Sequence, residues 1–226
     1  MGTARSTTKK NLYRIVPFER VVQLLKSNEL YLSHPSTWPD PYDRQVSFDN
    51  SPDIFAQSWC RKAVSDAMWR IYSPNSLGVR IGTTRDRLQS ILVTAKQAQG
   101  IEFKIQNVKY LYNEKLRFER ERLQEKWNAK PSFVRSIAPA FLKRDAFDHE
   151  YETRVVILRP PARGSLAVKG TVIRIDAGAL IRSIWFDPRA PKECFEAYKH
   201  YLKDILKFSG VVKQSSLYAS RDPAGE

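Results

Sequence analysis

Metal-ligand and disulfide chemistry have little to work with in this chain. Its 226 residues hold two cysteines, Cys60 and Cys194, and three histidines, His34, His149 and His200. None stands at zinc-ligand spacing and the cysteines form no framework, so neither a structural metal nor a disulfide scaffold is expected. Cys60 has no His or Asn partner pattern around it and reads as a small core residue rather than a nucleophile. No apolar run approaches the roughly 20 residues a membrane-spanning helix needs. The first residues, MGTARSTTKKN, are basic and polar and lack the apolar stretch of a secretory signal. A reduced, cytosolic chain is the expectation. Missing as well are Gly-x-Gly-x-x-Gly, the P-loop, His-Glu-x-x-His and Gly-x-Ser-x-Gly, which removes the usual grounds for a dinucleotide-binding dehydrogenase, a kinase or P-loop NTPase, a zinc protease or an α/β-hydrolase.

What the chain has in excess is positive charge. Thirty-eight Lys and Arg against twenty-four Asp and Glu give a net charge of +14 and a pI near 9.8. A surplus of that size calls for an anionic partner, with nucleic acid first and an acidic protein second. The hydrophobic content of 42% and aromatic content of 12% are those of a globular protein. The length suits one core, so one domain over residues 11–218 is predicted, with a flexible basic arm at 1–10 and a tail at 219–226.

Strand and helix patterns alternate without a repeat. Leu12–Val16 reads as a strand closed by Pro17, and Phe18–Glu29 as a helix with Val21, Val22, Leu24 and Leu25 on one face. Leu30–Ser33 is a strand. The following His34–Asp43 segment holds three prolines and must be a rigid loop. Ile54–Cys60 and Leu77–Ile81 read as strands around a helix of Lys62–Tyr72. Thr84 caps a helix that ends at Gly100. Two short strand pieces fill Phe103–Tyr112. Asn113–Lys130 is a charged helix, and Ser132–Leu142 a second helical piece. After a turn at Pro160–Gly164 come strands at Thr171–Ile175 and Ile181–Phe186, a helix from Pro191 to Phe208 and a strand at Val211–Ser215. Helices beside many short strands define the α+β class.

Within this order Lys143–Leu158, KRDAFDHEYETRVVIL, stands out. Thr153–Leu158 has strand character. In an extended chain Glu150, Glu152 and Arg154 project to one face, opposite Val155 and Ile157. Two acids and a guanidinium make a poor core face and a reasonable site. The alternative is a solvated edge strand with a Glu152–Arg154 ion pair.

Several of these segments together carry a resemblance. They are Leu12-Tyr13-Arg14, the Trp38-Pro39-Asp40-Pro41-Tyr42-Asp43 loop, Ser58-Trp59-Cys60 followed by Met68-Trp69, Tyr72 and Gly78-Val79, and Lys143, Phe147, Glu150, Glu152 and Arg154 at their spacing. In that order they resemble the bacterial family catalogued as domain of unknown function 2971 (DUF2971), from about Leu12 to Leu217. Pro39 replaces the family's loop Asn, Ser58-Trp59-Cys60 its Cys-Phe-Ser, and Phe147 its Trp. The layout also resembles the ADP-ribosyltransferases, which implies a mixed or antiparallel split sheet with flanking helices and NAD as the substrate consumed. The resemblance places Glu152 as the catalytic carboxylate and Glu150 as its helper. It gives Arg14, with Tyr13 beside it, as the first-strand element that holds the pyrophosphate or adenosine ribose. It gives Ser58 or Tyr72 as the middle element, Trp59, Trp69 or Tyr72 as nicotinamide-stacking rings, and Arg154 as a further cofactor-side residue. Core packing is the alternative for each ring.

If the acceptor is RNA or DNA, Lys9, Lys10 and the helix residues Arg117, Arg120, Arg122, Lys126 and Lys130 are the phosphate-holding candidates. A protein acceptor, a toxin or phage-defence role and an acidic antitoxin are further implications of the resemblance and the charge. Two other readings stand beside the transferase. One is a binding-only module in which both glutamates are structural. The other is a Mg²⁺ nuclease using Asp40, Asp43, Asp148, Glu150 or Glu152.

Overall fold

The computed structural model describes residues 10–48, 53–63, 65–158 and 169–218. Most of the expected basic arm, the Pro160–Gly164 turn and the tail from 219 lie outside the described residues. In chain order the elements begin with β1 (Asn11–Pro17), α1 (Phe18–Ser27), β2 (Glu29–Ser33) and β3 (Ile54–Cys60). They continue with α2 (Asp66–Tyr72), β4 (Gly78–Thr84), α3 (Arg85–Gln99), β5 (Glu102–Asn107) and β6 (Lys109–Leu111). Next come α4 (Asn113–Ala129), α5 (Phe133–Ser136), β7 (Leu142–Arg144) and β8 (Glu152–Leu158). The chain closes with β9 (Gly170–Arg174), α6 (Ala177–Leu180), β10 (Ser183–Phe186), α7 (Lys192–His200) and β11 (Val211–Gln214). The class is α+β, and most strand pairs are antiparallel.

Local chemistry explains the element ends. Asn28 takes the left-handed conformation (φ 55°) after α1 and donates its N–H to Leu24 O at 3.0 Å. Thr84 Oγ1 accepts from Arg87 N–H at 3.2 Å at the start of α3, and Gly100 (φ 65°) ends it. The expected helix Ser132–Leu142 is instead one turn of α-helix, a 3₁₀ turn at Ala138–Phe141 and the short strand β7. Pro139 lacks the N–H and has the ring that prevent one continuous helix.

Two compact units share the chain, their sequences interleaved. The first takes Met1–Asn28, Lys62–Arg87 and Asp176–Glu226. Its strands run in the order β11-β10-β4-β1, with only the β10–β11 pair parallel. One face of this sheet carries Leu12, Val79, Ile81, Ile184 and Phe186, all buried. Phe18 and Tyr198 stack against one another beside it, ring centroids 4.0 Å apart. The opposite face carries Tyr13, Arg80, Gly82, Ser183 and Trp185 by register.

The second unit takes Glu29–Arg61 and Leu88–Ile175. Its sheet runs β9-β2-β3-β8-β5, entirely antiparallel, and β6 pairs with β7 in parallel beside it. β8 is the central strand, paired on one side with β3 and on the other with β5. It is buried along almost its whole length, so the solvated edge strand considered from sequence is not what forms. The face of β8 that starts with Glu152 and Arg154 continues through Val156. There it packs with Val46, Ile54, Ala56, Ile137, Ala140 and Phe141 as one apolar cluster. A single strand face thus changes from ionic to apolar along its length.

Candidate active site: a buried charge cluster at the start of the central strand

Register decides which groups meet. Arg154 lies directly opposite Ser58 on β3, and Glu152 lies two residues earlier on the same face. Ser58 Oγ donates to Glu152 Oε2 at 2.8 Å, and Arg154 Nε donates to the same oxygen at 2.6 Å. The ammonium of Lys143, on β7, donates to Glu152 Oε1 at 2.6 Å and to Glu150 Oε2 at 2.7 Å, and lies 3.5 Å from Asp43 Oδ2. Arg154 also donates to Asp43 Oδ2 and to the Ala140 carbonyl, each at 2.9 Å, with the Trp38 ring 4.6 Å from its guanidinium carbon. The backbone N–H of Glu152 donates to Tyr110 Oη at 2.8 Å.

Glu150 reaches this cluster by a route that alternation does not describe. It ends a 3₁₀ turn, Asp145–Glu150, rather than sitting in a strand. Tyr151 then takes the left-handed conformation (φ 47°, ψ 49°), held by its N–H to Asp148 O at 3.0 Å. That kink places the Glu150 carboxyl on the same ammonium as Glu152. The two glutamates do meet, but through Lys143 and a positive-φ residue, not through a shared strand face.

The electrostatics follow from burial and count. Glu152 is 3% exposed and Glu150 7%. With Glu150 neutral, two carboxylates (Asp43, Glu152) face two cations (Lys143, Arg154); ionising it adds an uncompensated buried charge. Burial, reinforced by the hydrogen bond and the charge of Glu152, therefore pushes Glu150 up to about 7. Burial acts against ionisation of Glu152 too, yet Arg154, the hydrogen bond from Glu150 and Lys143 together hold it well below the ordinary carboxylate range. Burial pulls Lys143 down, but Glu152, Glu150 and Asp43 outweigh it and the ammonium is stabilised. The result is a fixed anion beside a carboxyl that exchanges its proton near neutrality.

The proline-rich loop is what closes this site. Trp38 Nε1 donates to Ser33 Oγ at 2.8 Å, and Arg144 holds Asp40 at 2.9 Å. Arg120 Nη2 donates to the Tyr42 carbonyl at 2.6 Å. Arg120 shares the inward face of α4 with Leu116, Leu123 and Trp127, and burial lowers its pKa. It is a strut for the loop rather than the phosphate ligand expected from sequence. Of the other candidates, Arg117 is 79% exposed at its side chain and pairs with Glu121, Arg122 and Lys126 share one exposed face of α4 at helical spacing, and Lys130 is exposed just past the helix end in an extended conformation. Arg122 also pairs with Glu119 at 2.6 Å. Lys10 is exposed, and Lys9 lies outside the described residues.

The remaining sequence candidates are placed as follows. Trp59 points away from Ser58 and is buried, its indole donating to Gln57 Oε1 at 3.0 Å, which makes it a core ring and not a stacking surface. Tyr13, Arg14, Trp69 and Tyr72 belong to the first unit. Arg14 lies on the Leu12 face of β1, opposite to Tyr13. Trp69 is fully buried against Arg80, and Tyr72 is exposed at the end of α2. For the nuclease reading, the acids that converge do so on an ammonium. Lys143 Nζ occupies the position a cation would take between Asp43, Glu150 and Glu152, and Asp40 is held by Arg144. No group of three or more His, Cys, Asp or Glu among the described residues is arranged to hold a metal ion.

Sequence reasoning gave no role to Lys143, Trp38 or Tyr110, gave Arg120 a different one, and weighed Asp43 only as a metal ligand. Two signals pointed their way: three prolines within ten residues at 34–43, and a lysine seven positions before Glu150.

Comparison with known proteins agrees with the resemblance. The model of the family described as protein of unknown function DUF2971 matches residues 68–155, less than half of the chain. No curated protein matches significantly. Among solved structures, the chain is similar to Thermus sp. 2.9 DarT in complex with NAD⁺, at 12% identity and a TM-score of 0.43 over 92% of this chain and 96% of that one. It is also similar to the same protein in complex with ADP-ribosylated single-stranded DNA, at 11% identity and 0.44 over 92% and 94%. At identities and scores this low, the chemistry has to be argued from the side chains. Among the described residues no helix is long and apolar enough to cross a membrane.

Proposed function

We propose that the Ser58–Lys143–Glu150–Glu152–Arg154 cluster is the reaction centre of an NAD-consuming ADP-ribosyltransferase whose acceptor is a nucleic acid. The observation that carries this reading is the pairing of two carboxyls with divided protonation. Glu152 is held ionised by Arg154 and Lys143, and Glu150, on the same ammonium, is pushed up to about 7.

The chemistry needs both. Breaking the C1′–N bond of the nicotinamide riboside sends the bonding electrons out with nicotinamide and leaves positive charge on the ribose. A fixed carboxylate stabilises that charge, and removing such a group from a site typically costs on the order of 100-fold or more in rate. The acceptor's nucleophile then bonds to C1′ and releases its proton. A carboxyl titrating at about 7 is suited to take it, because a general base works best near the ambient pH. Ser58 and Arg154 keep the Glu152 carboxylate in one orientation. The +14 charge suits a polyanionic acceptor, and an acidic inhibitor protein is the matching regulator for a toxin of this kind.

One observation favours a second reading. Both oxygens of Glu152 already accept hydrogen bonds and it is 3% exposed, as in a structural ion cluster of a binding-only module. Incubating the protein and Glu152→Gln with labelled NAD and, separately, RNA, single-stranded DNA and cell lysate separates the two. Label transferred by the parent and lost in the folded variant is the expected result. No transfer and no nicotinamide release with any acceptor, while nucleic acid still binds, overturns the transferase.

A further inference from the structure

In the first unit, the sheet face bearing Tyr13 and Trp185 opens into a cavity of about 510 Å³, a size common for small-molecule sites. β4 is buried along its whole length, yet it carries Arg80 in its middle, 7% exposed, on the side that faces this cavity. Taking a guanidinium out of water is costly unless other groups replace the water. Three rings do part of that here. The centroids of Tyr13, Trp185 and Trp69 lie 5.0, 5.5 and 5.9 Å from the guanidinium carbon. Trp185 is directly opposite Arg80 on β10, and Tyr13 is on the other neighbouring strand, β1.

A second guanidinium, Arg182, stands at the exposed edge and donates to Asn11 Oδ1 at 3.4 Å. No Asp or Glu is found among the described residues lining the cavity. Small residues keep it open. A Cβ on Gly82 would lie 2.5 Å from Ser183 Oγ, so the floor there has room for a hydroxyl and no more protein.

We propose that this cavity binds one nucleoside monophosphate unit, with its phosphate on Arg80 and Arg182 and its base against the Tyr13 or Trp185 ring. Two guanidinium groups on a cavity whose described lining holds no Asp or Glu suit a phosphate dianion. Aromatic walls select a planar base and are indifferent to which one. Ser183 and Asn11 add neutral polar groups that orient a sugar. The proposal concerns the first unit alone and does not need the transferase reading.

The full chain is titrated with AMP, adenosine and inorganic phosphate, read by tryptophan fluorescence and calorimetry, and then with the octanucleotide (dT)₈ in competition with AMP. AMP is expected to saturate and to bind about 10-fold or more tighter than adenosine or phosphate alone. Arg182→Gln, a change at the exposed edge that leaves the fold intact, weakens AMP by about 10-fold. Arg80→Gln weakens it further if that variant folds. Displacement of AMP by (dT)₈ identifies the unit as one nucleotide of a strand, and saturation by AMP without such displacement identifies a free nucleotide. Glu152→Gln leaves AMP affinity unchanged, so loss of transferase activity and loss of this site are read separately. Failure of millimolar AMP to saturate the folded protein, or equal AMP affinity in Arg182→Gln, overturns the proposal.

Discussion

Glu150 is the residue whose protonation should be visible in the stability of the whole chain. Folding raises it from its ordinary 4.5 to about 7, so the folded state takes up a proton that the unfolded state lacks in that interval. Its contribution to stability is fully present below pH 4.5 and is lost as pH rises through about 7. Glu152, whose pKa is depressed, has the opposite sign: it stabilises above its ordinary value of 4.5 and loses that contribution on acidification. Glu150→Gln keeps the shape and the neutral charge of the protonated form. Urea unfolding of this variant at pH 5, 6, 7 and 8 should show a flatter profile than the parent. Near pH 8 the variant should be the more stable by on the order of 3 kcal/mol. A parent profile flat between pH 5 and 8 would show that the Glu150 proton is not retained. The same substitution removes the proposed base, so a more stable protein with lost transferase activity is the combined signature of a site that stores destabilising charge for use.

At the scale of the element, the decisive piece is the join between the Asp145–Glu150 turn and β8. A straight strand through residues 150–154 would have put Glu150 on the Glu152 face but one pleat repeat away from it. The left-handed Tyr151 swings it onto Lys143 instead. A β-carbon in that conformation costs roughly 1 kcal/mol, and proline, fixed near φ −65°, cannot adopt it. Tyr151→Gly should therefore leave the Glu150 titration near 7 and change stability by no more than about 1 kcal/mol. Tyr151→Pro also loses the N–H bond to Asp148 and should drop the Glu150 midpoint toward its ordinary value. Carboxyl chemical shifts followed against pH report both. Retention of the raised midpoint in the proline variant would show that the kink does not set the contact. The proline-rich loop works at the same scale: three prolines lower the entropy lost when Trp38 and Asp43 are pinned over Arg154.

For the molecule as a whole, interleaving and charge are the governing facts. Each unit is assembled from segments far apart in sequence, so neither corresponds to a continuous stretch of chain. The stretch of 68–155 that matches the family model takes strands from both. The +14 charge acts at this scale too. On α4 Arg122 and Lys126 give an exposed basic face, and Lys130 follows it at the helix end. Replacing these three with serine should lower the slope of log affinity against log salt for single-stranded nucleic acid by about 2, at about 0.7 per phosphate contact. Replacing Arg120 instead should cost stability, since its two Nη groups hold Tyr42 and Gln45. An unchanged salt slope in the triple variant would move the binding surface off α4.

The sequence by itself determined the class, the strand at Ile54–Cys60 to the residue, the helix stop at Gly100, the strand stop at Pro17, and the presence of an ionic group, Glu150, Glu152 and Arg154, at the head of a strand. These follow from period, punctuation and an ionic group where a core was due, all of which are local. Only the tertiary structure decided that β8 is central and not an edge, because strand neighbours are chosen by contacts between Ser58 and Arg154, nearly a hundred positions apart. It alone put Lys143 between Asp43 and the two glutamates, turned Trp59 into the core and Arg120 inward, and left Arg80 among three rings over a cavity. Charge in a sequence is a count. Which charges are neutralised, shifted or left facing a ligand depends on the distances that folding sets.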